Sequence, residues 1–168
     1  LFVSEQGYAS IDQLWRYAWG HQKNSDYTYD RVLSLERAGY LKKIDAKGIS
    51  FKVVTSTVLA RNSVSSVSLF PVPINAGPVA TAAHQLGLNE IRIAMEGAGL
   101  EGWRSAESLM IDPRFKRIGS RHIPDAFYVS SKGVRTAIEY DRTLRKKERI
   151  KERLSLYLTE LMSGDRNV

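Results

Sequence analysis

The chain has 168 residues, of which 43% are hydrophobic and 26% charged, a balance that excludes a disordered tail, a collagen-like fibre and a membrane bundle and allows one ordinary domain or two small ones. A formal charge of +7 and a pI near 9.7 make a polyanion the leading class of partner, with nucleic acid ahead of an anionic membrane. Without cysteine there is no disulfide scaffold, no Cys-ligated zinc, no iron–sulfur cluster and no Cys nucleophile, and a reducing cytoplasm is the expected compartment.

No apolar run is long enough to span a bilayer, so no membrane insertion is expected. The chain starts Leu1-Phe2-Val3 without the basic start and long apolar core of a signal peptide.

Ser10 is placed to cap a helix whose Ile11, Leu14, Trp15 and Ala18 follow i, i+3, i+4, i+7 spacing up to Gly20. After a polar turn, residues 25–38 read as a second helix stopped by Gly39. Residues 40–44 alternate like a strand, Lys47-Gly48 is a turn, and residues 49–53 alternate again. Helix, turn, helix and ribbon is the order of a winged helix-turn-helix, expected over residues 1–60. Its second helix would enter the major groove with Tyr27, Thr28 and Arg31, and Lys47 and Lys52 on the wing would contact backbone.

Residues 61–79 read as a linker, with small polar residues followed by Pro71, Pro73, Gly77 and Pro78. Beyond it, residues 80–98 are helical in composition, and Leu109-Met110-Ile111 is a short apolar run. Residues 123–130 and 134–141 form a strand hairpin about Ser131-Lys132-Gly133. A long helix runs from Thr143 to about Met162, its Ile150, Leu154 and Leu158 stripe expected to cover the sheet. The fold class is therefore α+β.

The stretch Pro124-Asp125, thirteen residues, then Glu139-Tyr140-Asp141 carries the most chemistry. Alternation along a strand points Glu139 and Asp141 to one side, and hairpin pairing brings Asp125 alongside. Three converging carboxylates call for a hard divalent cation, Mg²⁺ or Mn²⁺, which can activate water and stabilise a phosphodiester under attack. The alternative is a hairpin with exposed acids paired to Arg121, Arg135 or Arg142. Residues 142–153 hold seven cations (142, 145, 146, 147, 149, 151 and 153) against Glu148 and Glu152, and Arg114, Lys116, Arg117 and Arg121 precede the hairpin. Arg117, Arg121, Arg142 and Arg149 on the two sides of the acids suit a phosphodiester backbone.

Pro-Asp, a spacer and Glu-x-Asp resemble the core of the PD-(D/E)xK, or restriction-endonuclease-like, nucleases, with Asp141 where that pattern has Lys. The chain is also similar to the replication-relaxation family, including MobC-type relaxases of mobilisable plasmids. The resemblance rests on His84 and Asn89, Trp103 and Glu107, Pro124-Asp125-Ala126, and Glu139 with Asp141, in that order. It implies a nuclease-like domain at 80–168, with Asp125, Glu139, Asp141 and Glu107 as metal ligands for Mg²⁺ or Mn²⁺. Arg145, where those relaxases have Lys, would hold phosphate with Lys146 and Lys147.

The implied function is metal-dependent nicking of double-stranded DNA at a plasmid transfer or replication origin, with a coupling or mobilisation protein as a further partner. The alternative is a non-catalytic DNA-binding regulator with a degenerate nuclease fold, which Asp141 and Arg145 favour. Six residues after the last helix are too few to return as another strand, so the chain is expected to be part of a longer protein or to pair its sheet edge with a partner or a second copy.

Overall fold

A computed structural model describes residues 2–19, 24–46, 48–67, 72, 79–111, 123–130, 132, 134–142 and 147–162. The first helix, α1 (Phe2–Gln6), ends at Gly7, whose φ of +81° turns the chain into strand β1 (Tyr8–Ser10). Helix α2 (Ile11–Trp19) follows with a reciprocal cap. Ser10 Oγ accepts from the Gln13 amide at 3.0 Å, and Gln13 Oε1 accepts from the Ser10 amide at 3.1 Å. Two of the helix's orphan donors are thereby satisfied.

Helix α3 (Ser25–Arg37) is capped by Asn24, whose side chain accepts from the Tyr27 amide. It ends in a Schellman motif: Gly39, at φ +78°, donates to Glu36 O, and Tyr40 N donates to Leu35 O. The chain then enters β2 (Leu41–Ile44), β3 (Val53–Ser56) and α4 (Val58–Ser65). The first sheet has the order β1-β3-β2, all antiparallel, and both Ser10 and Ile44 pair with Val53.

Since β3 is central, all four of its residues are buried. Phe2, Val3, Ala9, Val32, Leu41 and Val54 form one core, with Leu14 and Leu35 packed against it. Each fully buried large apolar side chain is worth roughly 1.5–3 kcal/mol, so α1 and β1 are integral to this unit.

A 3-10 turn (Val79–Thr81) leads into the sixteen-residue helix α5 (Ala82–Gly97). The remaining elements are β4 (Arg104–Ser105), α6 (Ala106–Ile111), β5 (Ala126–Val129), β6 (Arg135–Ile138) and α7 (Lys147–Met162). The second sheet is antiparallel in the order β4-β5-β6. Helix α5 lies between the two sheets. Ala82 and Leu86 pack with Tyr8, Ala46 and Val53, whereas Leu88, Ile91 and Met95 pack with Trp103, Ala126, Ile138 and Tyr140.

The molecule is α+β, as the sequence indicates, with differences in detail. The strand expected over 49–53 begins only at Val53, because the chain turns at Gly48 (φ +80°) and the Ile49 amide donates back to Ala46 O. Helix α4 extends to Ser65, into the stretch read as linker. The α7 stripe does not cover the sheet: Ile150, Leu154 and Leu158 stay about half exposed.

Candidate nucleic-acid interface and acidic cluster

Burying Thr28 and Val32 fixes the roll of α3 about its axis. Its outward face then carries Tyr27, Arg31, Ser34 and Arg37, all exposed. The Tyr27 ring meets Trp19 edge to face, centroids 5.4 Å apart, which braces the start of the helix. Thr28, expected to touch DNA, is 0% exposed and belongs to the interior. The helical period decides this, since Thr28 lies one turn before the buried Val32 on the inner face.

At the ribbon, exposed Lys52 folds back over α3. Its Nζ donates to the Tyr29 hydroxyl at 3.0 Å and sits 4.6 Å from the ring centroid. The hydrogen bond from Lys52 and its charge hold the Tyr29 phenol below its ordinary pKa. Lys43 is occupied by Glu36 at 2.7 Å. Lys47 lies outside the described residues.

The acids stand near one end of the second sheet, but Asp125 and Glu139 both face protein. Asp125 Oδ2 accepts from the Tyr140 amide at 2.8 Å, and its Oδ1 lies 3.3 Å from His84 Nε2. Strand β6 ends at Ile138, so Glu139 and Asp141 fall beyond the ladder that was expected to align them. Glu139 turns to α7, where Arg153 binds one oxygen and the Tyr157 hydroxyl donates to the other at 2.5 Å.

Asp141 is exposed. Glu107 opens α6 and acts on Arg61, a guanidinium only 1% exposed. Burial pushes the Arg61 pKa down, and Tyr8 and Glu107 partly restore it. Lys147, Arg149 and Arg142 are exposed, whereas Arg145, Lys146, Arg117 and Arg121 lie outside the described residues.

A divalent ion needs several oxygen or nitrogen ligands aimed at one point. Among the described residues, which include all four expected ligands, no group of three His, Asp or Glu can hold one. With Glu139 engaged at both oxygens and Asp125 bound to a backbone amide, the arrangement does not fit Mg²⁺ or Mn²⁺ as it stands.

Sequence reasoning used His84 only as one of the residues that carry the resemblance, and the structure puts it against Asp125. It also missed a buried polar seam between α5 and the first sheet. Asn89, 0% exposed, donates to Tyr8 O at 2.7 Å and to Gln13 Oε1 at 3.1 Å. Gln13 donates to Leu86 O at 2.7 Å and to Glu90 at 2.8 Å. Arg16 clamps Glu90 from outside at 2.7 and 2.8 Å and holds that carboxyl below its ordinary pKa. The available signal was a polar stripe at helical spacing, Gln85, Asn89, Arg92 and Glu96.

A profile of the replication-relaxation family matches residues 2–166. The chain belongs to the replication-relaxation family. Membership ties it to replication and relaxation. No curated protein and no solved structure matches it. Among the described residues, no helix is long and apolar enough to cross a membrane.

Proposed function

We propose that this replication-relaxation protein is a duplex-DNA-binding factor acting at a plasmid replication or transfer origin. The carrying observation is the outward face of α3, with Tyr27, Arg31, Ser34 and Arg37 exposed beside the Lys52 ribbon. The order α1-β1-α2-α3-β2-β3 supports reading residues 1–60 as a winged helix. On that reading α3 enters the major groove, where Arg31 reaches a base edge or phosphate, and Lys52 lies along the backbone. The net charge of +7 supplies the sequence-independent part of the affinity.

Arg31→Ala is expected to weaken duplex binding about tenfold and to reduce the slope of log K against log salt by about one. Fluorescence anisotropy across a salt series measures both. Unchanged affinity and slope would remove α3 from the interface.

Metal-dependent nicking by a restriction-endonuclease-like region over 80–168 is the second reading. It is favoured by the Asp125–Tyr140 hydrogen bond, which sets Asp125 beside the peptide joining Glu139 to Asp141. It requires Glu139 to leave Arg153 and Tyr157. With the acids paired as they are, supercoiled origin plasmid in Mn²⁺ is expected to stay supercoiled. Nicked circles that disappear with Asp125→Asn would establish the nuclease instead.

A further inference from the structure

Between the starts of α2 and α3, the ribbon end and α5 lies an open cleft of about 620 Å³. That volume is within the range that takes a small organic ligand. Its wall carries two aromatic rings, Tyr29 and the 56% exposed Phe51, with the Lys52 ammonium, exposed Ser25 and the carboxylates of Asp12, Asp26 and Glu90.

Each group has a counterpart in one ligand class. Aromatic faces stack on a nucleobase whatever its identity. An ammonium beside them meets a phosphate. Carboxylates accept hydrogen bonds from the amino and imino groups of a base edge, and the imino group is free to donate only when the base is unpaired. A base within a duplex is stacked on both faces and cannot enter a concave site.

Phe51 is exposed and lies outside the sheet. The alternation over residues 49–53 would have made it a strand residue, but pairing starts at Val53, and the ring stands at the cleft instead. Lys52 is held beside it by the Tyr29 hydroxyl, so the cation and one ring are oriented before any ligand arrives. Glu90 is fixed by Arg16 and Gln13 and Asp12 is paired with Arg16, and the exposed Asp26 is the carboxylate offered to a base.

We infer that this cleft binds an unpaired nucleotide, with the base stacked on Phe51 and Tyr29 and its phosphate on Lys52. The inference rests on the DNA-binding reading above. It adds that the same unit holds a single-stranded or extruded nucleotide next to the duplex contact, a substrate form that origin opening produces.

The test compares a labelled single-stranded 12-mer with its duplex by anisotropy, for the wild type, Phe51→Ala, Phe51→Trp and Arg31→Ala. Phe51 is exposed, so its variants should fold normally, which circular dichroism checks. Phe51→Ala is expected to weaken single-strand binding about tenfold with the duplex affinity within about twofold of the wild type. Phe51→Trp should retain binding, and Arg31→Ala should affect the duplex more than the single strand.

Displacement of the 12-mer by a deoxynucleoside monophosphate would identify a free nucleotide as ligand. Retention of the 12-mer would identify a nucleotide within a strand, and either result supports the cleft. Equal losses for both DNAs, or no loss for the single strand, would overturn the inference while leaving duplex binding intact. Failure to bind either DNA would end both readings.

Discussion

Replacing Arg92 with alanine is expected to lower the unfolding free energy by about 3–5 kcal/mol, the usual consequence of removing one partner from a buried ionic cluster. Arg92 is 5% exposed. Its guanidinium lies 2.9 Å from Glu5 and 2.7 Å from Glu96, donates to the Tyr17 hydroxyl at 3.3 Å and stands over the Phe2 and Tyr17 rings. With the Gln6 amide turned so that its oxygen faces donors, that oxygen accepts from Arg92 Nη1 at 2.6 Å and from Trp103 Nε1 at 3.2 Å. Burial acts against the charge, but Tyr17, Glu96 and Glu5 outweigh it and hold the guanidinium above its ordinary pKa.

Alanine leaves Glu5 and Glu96 without their cation and opens a void between α1, α2 and α5. Urea unfolding followed by far-UV circular dichroism measures the loss. A change below about 1 kcal/mol would mean that this cluster behaves as a solvated surface pair.

Gly87→Ala in α5 should show an effect whose sign depends on a second residue. In a helix interior, alanine for glycine normally stabilises by about 0.5–1 kcal/mol. Here a methyl group at position 87 would run into the ring of Tyr140, which lies against the bare backbone. That ring is also 5.4 Å from His84, and the Tyr140 amide donates to Asp125. Displacing it costs about 1–3 kcal/mol by overpacking, so the net expectation is a loss of about 1–2 kcal/mol.

In a Tyr140→Ala background the obstruction is gone, and the same substitution should stabilise by about 0.5–1 kcal/mol. The two results together give a coupling of about 2 kcal/mol in a double-mutant cycle. Stabilisation by Gly87→Ala in the wild-type background would show that Tyr140 is not seated on α5, and the account of the Asp125 site would fall with it.

Helices α2 and α3 were legible because their signals are local. Ser10 and Gln13 at the right spacing make a capping box, and Gly39 supplies the positive φ that ends α3. The second hairpin was legible from its β-forming residues around a short turn, and its register follows from the Ser130–Val134 closure. Strand β1 escaped because three residues carry no period and gain stability only by pairing with β3. Residues 49–52 misled because alternation records where apolar residues recur, whereas pairing depends on a partner at the same level.

At the acidic cluster, the approach of Asp125 to the Glu139–Tyr140 peptide is a local matter, since hairpin pairing alone carries it there. What the two carboxylates bind depends on elements distant in the chain. Glu139 meets Arg153 and Tyr157 because α7 returns there, and Asp125 meets His84 because α5 crosses beside the sheet. The same division holds for the stripe Gln85, Asn89, Arg92 and Glu96. Its spacing specifies one polar helix face, but a polar face is satisfied equally by water and by protein hydrogen bonds. The backbone carbonyl of Tyr8 and the side chains of Gln13 and Glu5 converge on it from segments more than 70 residues away, and that convergence turns a solvent-like face into the seam that joins α5 to the first sheet.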